Sequence, residues 1–197
     1  TLENLEITGR QVMHTRYGEP SGPLTFGVLG DREVVFLPRH GSGHTIPPHM
    51  VNYRANLSAL QEAGVDCVLA VAAVGGIGEA MAPAQIAVPD QIIDYTYGRA
   101  HTLFETELEQ VTHIDFTEPY CPDMRRRLIQ ACRDAGVAAV ERGTYGATQG
   151  PRLETAAEIE RMARDGCELV GMTGMPESAL ARELGMCYAA CAVVANW

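Results

Sequence analysis

A chain of 197 residues suits one domain with a sizeable core, and 46% hydrophobic with 20% charged residues is an ordinary globular composition. Its formal net charge of −10 argues against nucleic acid or an anionic membrane as a partner, since neither would be attracted to it. All 15 basic residues are arginine, which removes Schiff-base lysines and P-loop lysines from consideration.

In chain order, the opening reads as β structure. "RQVMHTRYG", "GPLTFGVLG" and "REVVFLPRHG" are short runs split by Gly, Pro and Asp turns, with "GDR" as a hairpin tip. "MVNYRANLSALQEAG" then places Val51, Leu57 and Leu60 at helical spacing and stops at Gly64. "DCVLAVAAVGGIG" is a continuous apolar run ending in glycines, the pattern of a strand buried on both faces. "AQIAVPDQIIDYT" reads as one further strand, followed by a long polar-aromatic connection from Gly98 to Pro122.

The second half alternates. "DMRRRLIQACRDAG" is a helix whose arginines Arg125 to Arg127 read as a solvated face, and "VAAVERGTYGATQG" is a strand. "TAAEIERMARDG" is a helix opened by a Thr-x-x-Glu capping box at Thr155 and Glu158. "CELVGM" is a strand, "PESALARELG" a helix and "CYAACAVVA" a last buried strand. This order predicts an α/β domain around a largely parallel sheet, preceded by an antiparallel section.

Six cysteines (Cys67, Cys121, Cys132, Cys167, Cys187, Cys191) are scattered without C-x-x-C spacing, mostly in apolar segments. They read as buried reduced thiols, which points to the cytoplasm. No export signal or long apolar run is visible, so no membrane partner is expected.

Two constellations could carry chemistry. The loop "RHGSGHTIPPHM" holds His40, His44 and His49, which could bind a metal, hold an anion with Arg39, or decorate a surface turn. No Cys or carboxylate nearby completes a zinc site, so no metal is expected. His14, His101 and His113 stand alone and read as surface or loop residues. "GGIG" matches no full dinucleotide fingerprint and alone means a tight turn. In "ELVGMTGMPESALAREL" a strand runs into Thr173-Gly174 and a helix containing Pro176 in its first turn. Free backbone N–H groups there, beside a threonine hydroxyl, would form an anion cradle; the plain alternative is an ordinary N-cap. Arg39 ends an apolar strand and so belongs at the sheet's carboxyl edge, where open α/β sheets bind ligands. With His40 it supplies local positive donors in an acidic protein.

The segments "RHGSGHTIPPHMVNYRANLSAL", "AAVGGI", "THIDFTEPYCP", "TQGPRLETAAE" and "GMTGMPESALARELGMCYA" resemble, in the same order, the trimeric purine nucleoside phosphorylase and methylthioadenosine phosphorylase family. The likeness covers nearly the whole chain and is nearest the methylthionucleoside branch. It implies a phosphorylase-type single domain over 1–197 with a mixed, largely parallel twisted sheet flanked by helices. The family opens with a strand and a "GGTG"-type phosphate loop and ends with further helices, both of which this stretch is expected to lack.

In such enzymes phosphate attacks the anomeric carbon of a nucleoside while the purine leaves. By the resemblance, Arg39, His40, Ala72, Ala73 and Thr173 are the phosphate-side positions. Met172 lies under the ribose, and Leu153, Glu154, Asn196 and Trp197 are on the substrate side. His40 and Asn196 are the candidate catalytic residues. Ala72 departs from the hydroxyl residue that methylthioadenosine phosphorylases carry there. Glu154 and Asn196 match the choices of 6-oxopurine enzymes, whereas adenosine-type members carry a small hydroxyl residue and an aspartate. A carboxylate can accept from the N1–H of hypoxanthine but repels the bare N1 of adenine, and an asparagine amide can donate to N7 as the purine departs. The alternative for Glu154 is a carboxylate stabilised by the helix dipole.

The resemblance thus implies phosphorolysis of 5′-methylthioinosine to hypoxanthine and 5-methylthioribose 1-phosphate in purine salvage. Inosine or guanosine phosphorolysis and methylthioadenosine phosphorolysis are the alternatives. Inorganic phosphate is the expected co-substrate, with no other cofactor. A nucleosidase would need no anion site, and a non-catalytic binding fragment is a third reading. A homotrimer is expected, with the loop 98–122 reaching a neighbour's pocket.

Overall fold

The structure, a computed structural model, describes residues 4–105 and 110–197. Among these, ten strands and four α-helices follow one another. They are β1 (Leu5–Gln11), β2 (Leu24–Leu29), β3 (Arg32–Phe36), α1 (Tyr53–Glu62), β4 (Cys67–Gly76), β5 (Ile86–Ala87), β6 (Gln91–Asp94), α2 (Pro122–Asp134), β7 (Ala139–Val140), β8 (Thr144–Ala147), α3 (Ala156–Arg164), β9 (Leu169–Gly171), α4 (Gly174–Glu183) and β10 (Cys187–Asn196).

β1, β2 and β3 form a small antiparallel sheet, and the other seven strands a mixed sheet in the order β6-β8-β9-β4-β10-β5-β7. β4 and β10 lie parallel in its centre, from Cys67 opposite Cys187 to Val74 opposite Val194. The β2–β3 hairpin turns at Gly30 and Asp31, as expected, and pairs Leu29 with Arg32. β1 lies further toward the amino terminus than "RQVMHTRYG" predicts. Beyond Gln11 a tight turn takes over, in which Thr15 Oγ1 donates to the Gly18 carbonyl at 2.7 Å.

Two expected long strands are each broken. Pro89 lies between β5 and β6 and offers no N–H to a ladder. Arg142 and Gly143 separate β7 from β8, and the Gly143 N–H turns to Asp90 Oδ1 at 2.9 Å. In consequence β5 and β7 pair at one edge of the large sheet while β6 and β8 pair at the other. The breaks curl the sheet, because both chain segments pass from one edge to the other.

Helix boundaries follow local chemistry. The Asn52 side chain caps α1 by accepting from Ala55 N at 3.1 Å, and the chain leaves the helix through Gly64 at φ +81°. α3 carries the capping box anticipated at Thr155 and Glu158. Arg125 is not part of a solvated face: its guanidinium donates to the carbonyls of Pro89, Val88 and Glu141, fastening α2 to the β5–β6 and β7–β8 breaks.

The main core lies where α1 and α4 cover the sheet and the β2–β3 hairpin, with Leu24, Tyr53, Leu57, Leu180 and Tyr188 buried. Each such side chain contributes about 1.5–3 kcal/mol through removal from water. The opposite face of β4 is open: Leu69 is 45% and Val71 60% exposed. The expectation of a strand buried on both faces is therefore corrected for β4. Its apolar run reflects a central position in the sheet, not coverage on both sides.

The cysteine expectation also changes. Cys121 and Cys187 form a disulfide joining the start of α2 to the start of β10, while Cys67, Cys132, Cys167 and Cys191 are free. Reduced thiols at all six positions no longer support a compartment. No helix among the described residues is long and apolar enough to cross a membrane.

Candidate active site

β4 and β9 meet only at their ends, antiparallel, with Gly75 opposite Val170 and Gly76 opposite Leu169. The pairing ends there, and beyond Gly171 the chain passes through Met172 and Thr173 directly into α4. A Cβ on Gly171 would lie 3.1 Å from Val74 Cγ1, so the end of β9 packs closely against β4. The segment carrying Met172 and Thr173 thus leaves the sheet at the seam where β9 meets β4, the strand that carries Ala72 and Ala73.

Arg39 reaches the same seam from the segment after β3. Its Nη1 donates to the Val71 carbonyl at 3.2 Å, one residue before Ala72. Nε and Nη2 donate to the two oxygens of Glu177, at 2.6 and 2.8 Å. Burial works against the guanidinium's charge, but the Glu177 carboxylate, by charge and hydrogen bond together, outweighs it and raises the pKa of Arg39. His40 is held by Nδ1 against the Ile46 carbonyl at 2.8 Å, and its ring lies 4.7 Å from that of His44. Arg39, His40, His44, Val71 and Glu177 all line a cleft of about 1290 Å³ between β3 and β4. Among the described residues, no three His, Cys, Asp or Glu side chains gather at metal-binding spacing.

The start of α4 differs from the simple cradle. Thr173 is buried and makes no side-chain cap, and Met175 is extended (φ −120°, ψ 139°). Regular helix resumes at Pro176, so the first N–H groups do not converge as in an ideal first turn. Thr173 N instead faces the buried Tyr145 hydroxyl at 3.5 Å. Glu177 occupies the first turn and adds a negative charge there.

On the other side of the seam, Glu154 Oε1 accepts from Thr148 Oγ1 at 2.6 Å. Thr148 N in turn donates to the Gly171 carbonyl at 2.8 Å, so Glu154 is tied to the carboxyl ends of β8 and β9. Glu154 stands just before the Thr155 cap of α3; a specific hydroxyl holds it. Leu153 beside it is 69% exposed. Asn196 ends β10 opposite Gly75, where a Cβ would lie 3.7 Å from both amide heavy atoms of Asn196. The Trp197 ring covers Gly76: a Cβ there would lie 2.7 Å from its Cδ1 and 2.0 Å from the Met81 carbonyl oxygen. Glycine is thus required at position 76 by the close approach of Trp197 and the Met81 carbonyl, whereas a Cβ at Gly75 would be crowded by Val170 Cγ1 at 3.1 Å.

Sequence reasoning passed over Arg99. This buried arginine donates to the carbonyls of Thr148, Gln149, Met172 and Met175 and to Gln149 Oε1. It binds the loop before Glu154 to the segment carrying Met172 and Thr173. Nothing in "TYGRAHT" marks it, since its partners are distant in sequence. Leu103 N and Thr102 Oγ1 both donate to Glu183, so the opening of the 98–122 connection is fastened to its own chain; positions 106–109 lie outside the described residues.

A family model described as the phosphorylase superfamily matches residues 3–197. A probable S-methyl-5′-thioinosine phosphorylase of Xanthomonas campestris pv. campestris is 55% identical over 196 residues, covering 100% of this chain and 78% of the relative. The 6-oxopurine nucleoside phosphorylase of Pyrococcus furiosus is 50% identical over 192 residues, covering 95% and 72%. Among solved structures, methylthioadenosine phosphorylase from Schistosoma mansoni in complex with tubercidin superposes with a TM-score of 0.94 at 36% identity, over 97% of this chain and 75% of that one. With this fold and nearly its whole length matched, the chain belongs to the phosphorylase superfamily.

Proposed function

We propose that the protein phosphorolyses the N-glycosidic bond of 5′-methylthioinosine, releasing hypoxanthine and 5-methylthioribose 1-phosphate for purine salvage. The observation that carries the reading is Glu154 held by Thr148 on one side of the β4–β9 seam, with Asn196 over Gly75 on the other. Relatives 54–56% identical are named probable S-methyl-5′-thioinosine phosphorylases, which supports the same choice of base and 5′ group.

In this reading inorganic phosphate is the co-substrate and no other cofactor takes part. Arg39, His40, Thr173 and the main chain at Ala72 and Ala73 hold phosphate, with Met172 beneath the ribose. A phosphate oxygen forms the new bond to the anomeric carbon as the bond to N9 breaks, and the departing electron pair goes to the purine. The Asn196 amide donates to N7 and stabilises that charge, while Glu154 accepts from N1–H. Leu153 and Trp197 border the base. Solvent supplies the proton that leaves neutral hypoxanthine.

A second reading is phosphorolysis of inosine or guanosine, favoured by the 50% identity to a 6-oxopurine nucleoside phosphorylase. Methylthioadenosine phosphorolysis is a third, and it conflicts with Glu154. Assay of methylthioinosine, methylthioadenosine and inosine side by side, with and without phosphate, separates these readings. Turnover of methylthioinosine that ignores phosphate would overturn the phosphorylase reading. We also infer a homotrimer; light scattering that finds an active monomer would refute it.

A further inference from the structure

The Arg39–Glu177 pair joins residues 138 apart in sequence; the Glu177 side chain is buried and that of Arg39 largely so, at 6% and 15% exposed. Glu177 Oε1 accepts a third hydrogen bond, from the Tyr188 hydroxyl at 2.8 Å. Burial, and then the neighbouring Glu177 charge, push the Tyr188 pKa up, so the phenol stays a donor. Arg39 is therefore fixed by three elements at once: α4 through Glu177, β4 through the Val71 carbonyl, and β10 through Tyr188 acting on Glu177.

A buried ion pair is weak support for stability, because desolvation offsets much of the attraction. A pair retained beside a cleft calls for another explanation. A guanidinium carries five N–H groups in a rigid fork. Here three are used on Glu177 and Val71, leaving two without a hydrogen bond among the described residues. A free arginine side chain has rotamer entropy to lose when it grips an anion. Glu177 removes that loss in advance, at the expense of some of the positive potential in the cleft.

We propose that Glu177 is a positioning residue for phosphate: it holds Arg39, with Tyr188 behind it, so that the two remaining N–H groups present a fixed fork to the anion. The inference rests on the phosphorolytic reading above. Glu177 touches Arg39 and not the reacting atoms, and its effect is confined to the phosphate side of the seam.

The test uses Glu177→Gln, Glu177→Asp and Tyr188→Phe in the full-length protein, with steady-state KM values for phosphate and for methylthioinosine. In Glu177→Gln an amide –NH₂ faces an arginine N–H, so the fork loses its alignment while the side-chain volume is kept. Its phosphate KM should rise on the order of tenfold or more, the scale of a charge-assisted hydrogen bond. Its nucleoside KM should stay within about threefold. Glu177→Asp keeps the charge and should restore part of the phosphate KM. Tyr188→Phe keeps the ion pair and should show the same split at smaller size, which keeps the inference testable if Glu177→Gln does not fold. An unchanged phosphate KM in whichever variant folds, or equal change in both KM values, would overturn the positioning role. If the wild type itself shows no dependence on phosphate, the functional reading fails first, and that outcome is distinct.

Discussion

The Arg99 guanidinium donates to the Met172 carbonyl at 2.8 Å, and through its other nitrogen it reaches the carbonyls of Thr148 and Gln149. Two loops that follow the neighbouring strands β8 and β9 thus share one buried cation. Lysine offers three donors around a single point and cannot span carbonyls that far apart. Arg99→Lys should leave at least two buried acceptors unpaired, at about 1–3 kcal/mol each. Differential scanning calorimetry should show a clear drop in Tm, roughly 2–4 °C for each kcal/mol in a chain of this size. The nucleoside KM should rise more than the phosphate KM, because Arg99 ties the Glu154 and Met172 segments and makes no contact with Arg39. An unaltered Tm would show that the carbonyls find other partners.

Arg39→Ala should act twice. Loss of a charged donor should weaken phosphate binding by ~1.5–3 kcal/mol, read as a raised phosphate KM. The same change strands Glu177 without its counter-ion, which costs about 3–5 kcal/mol of stability when a buried pair is broken. Adding Glu177→Gln to Arg39→Ala should recover part of that stability in urea titrations while phosphate affinity stays low, since the two residues form one unit. A double mutant as unstable as the sum of the singles would deny that coupling.

Acid sensitivity has three assignable sources, the carboxylates of Asp90, Asp115 and Glu158, each held below its ordinary range. The Arg152 guanidinium, and next the Thr155 N–H, pull the Glu158 pKa from its ordinary 4.5 down to about 2. A folded-state pKa below the unfolded value means the carboxylate stabilises the fold fully above about pH 4.5. That contribution fades as pH falls toward 2. Glu158→Gln should therefore lower Tm near neutral pH and flatten its decline between pH 4.5 and 2. Equal acid slopes for wild type and variant would place the sensitivity elsewhere.

α1 and α3 were readable because their signals are local: apolar spacing, the Asn52 and Thr155 caps, and Gly64 as terminator. The strand breaks at Pro89 and Arg142–Gly143 were not, because they are set by which edge of the sheet each half pairs with. Arg39, Ala72, Met172 and Thr173 lie in recognisable motifs; the structure links Arg39 to β4 through Val71 and brings β9, just before Met172 and Thr173, against the end of β4. Glu177 stands inside the same motif as Thr173, and a first-turn carboxylate next to an anion cradle was the available signal. Its partner sits 138 residues away, and no spacing rule reaches that far. Tyr188 and Arg99 act through distant main-chain and side-chain partners, and only tertiary packing reveals them.

Base choice is the most direct consequence of the Thr148–Glu154 contact. Thr148 Oγ1 donates to Glu154 Oε1 at 2.6 Å, which leaves Oε2 as the oxygen free to meet a ligand. In the proposed pose that oxygen accepts from N1–H of hypoxanthine, and with adenine it would face the N1 lone pair. Wild type should then favour methylthioinosine over methylthioadenosine, by a factor on the order of 10⁴ in kcat/KM if desolvation is complete. Thr148→Val should loosen Glu154 and shrink that preference without touching the ring itself. Glu154→Ser should remove the repulsion of adenine's N1, and Asn196→Asp should add an acceptor for its amino group. Because both residues contact one ring, the double mutant should shift preference by more than the two single effects combined. Wild type turning over the adenine nucleoside faster, at equal phosphate, would overturn the substrate assignment and leave the fold and the Arg39 side of the seam unaffected.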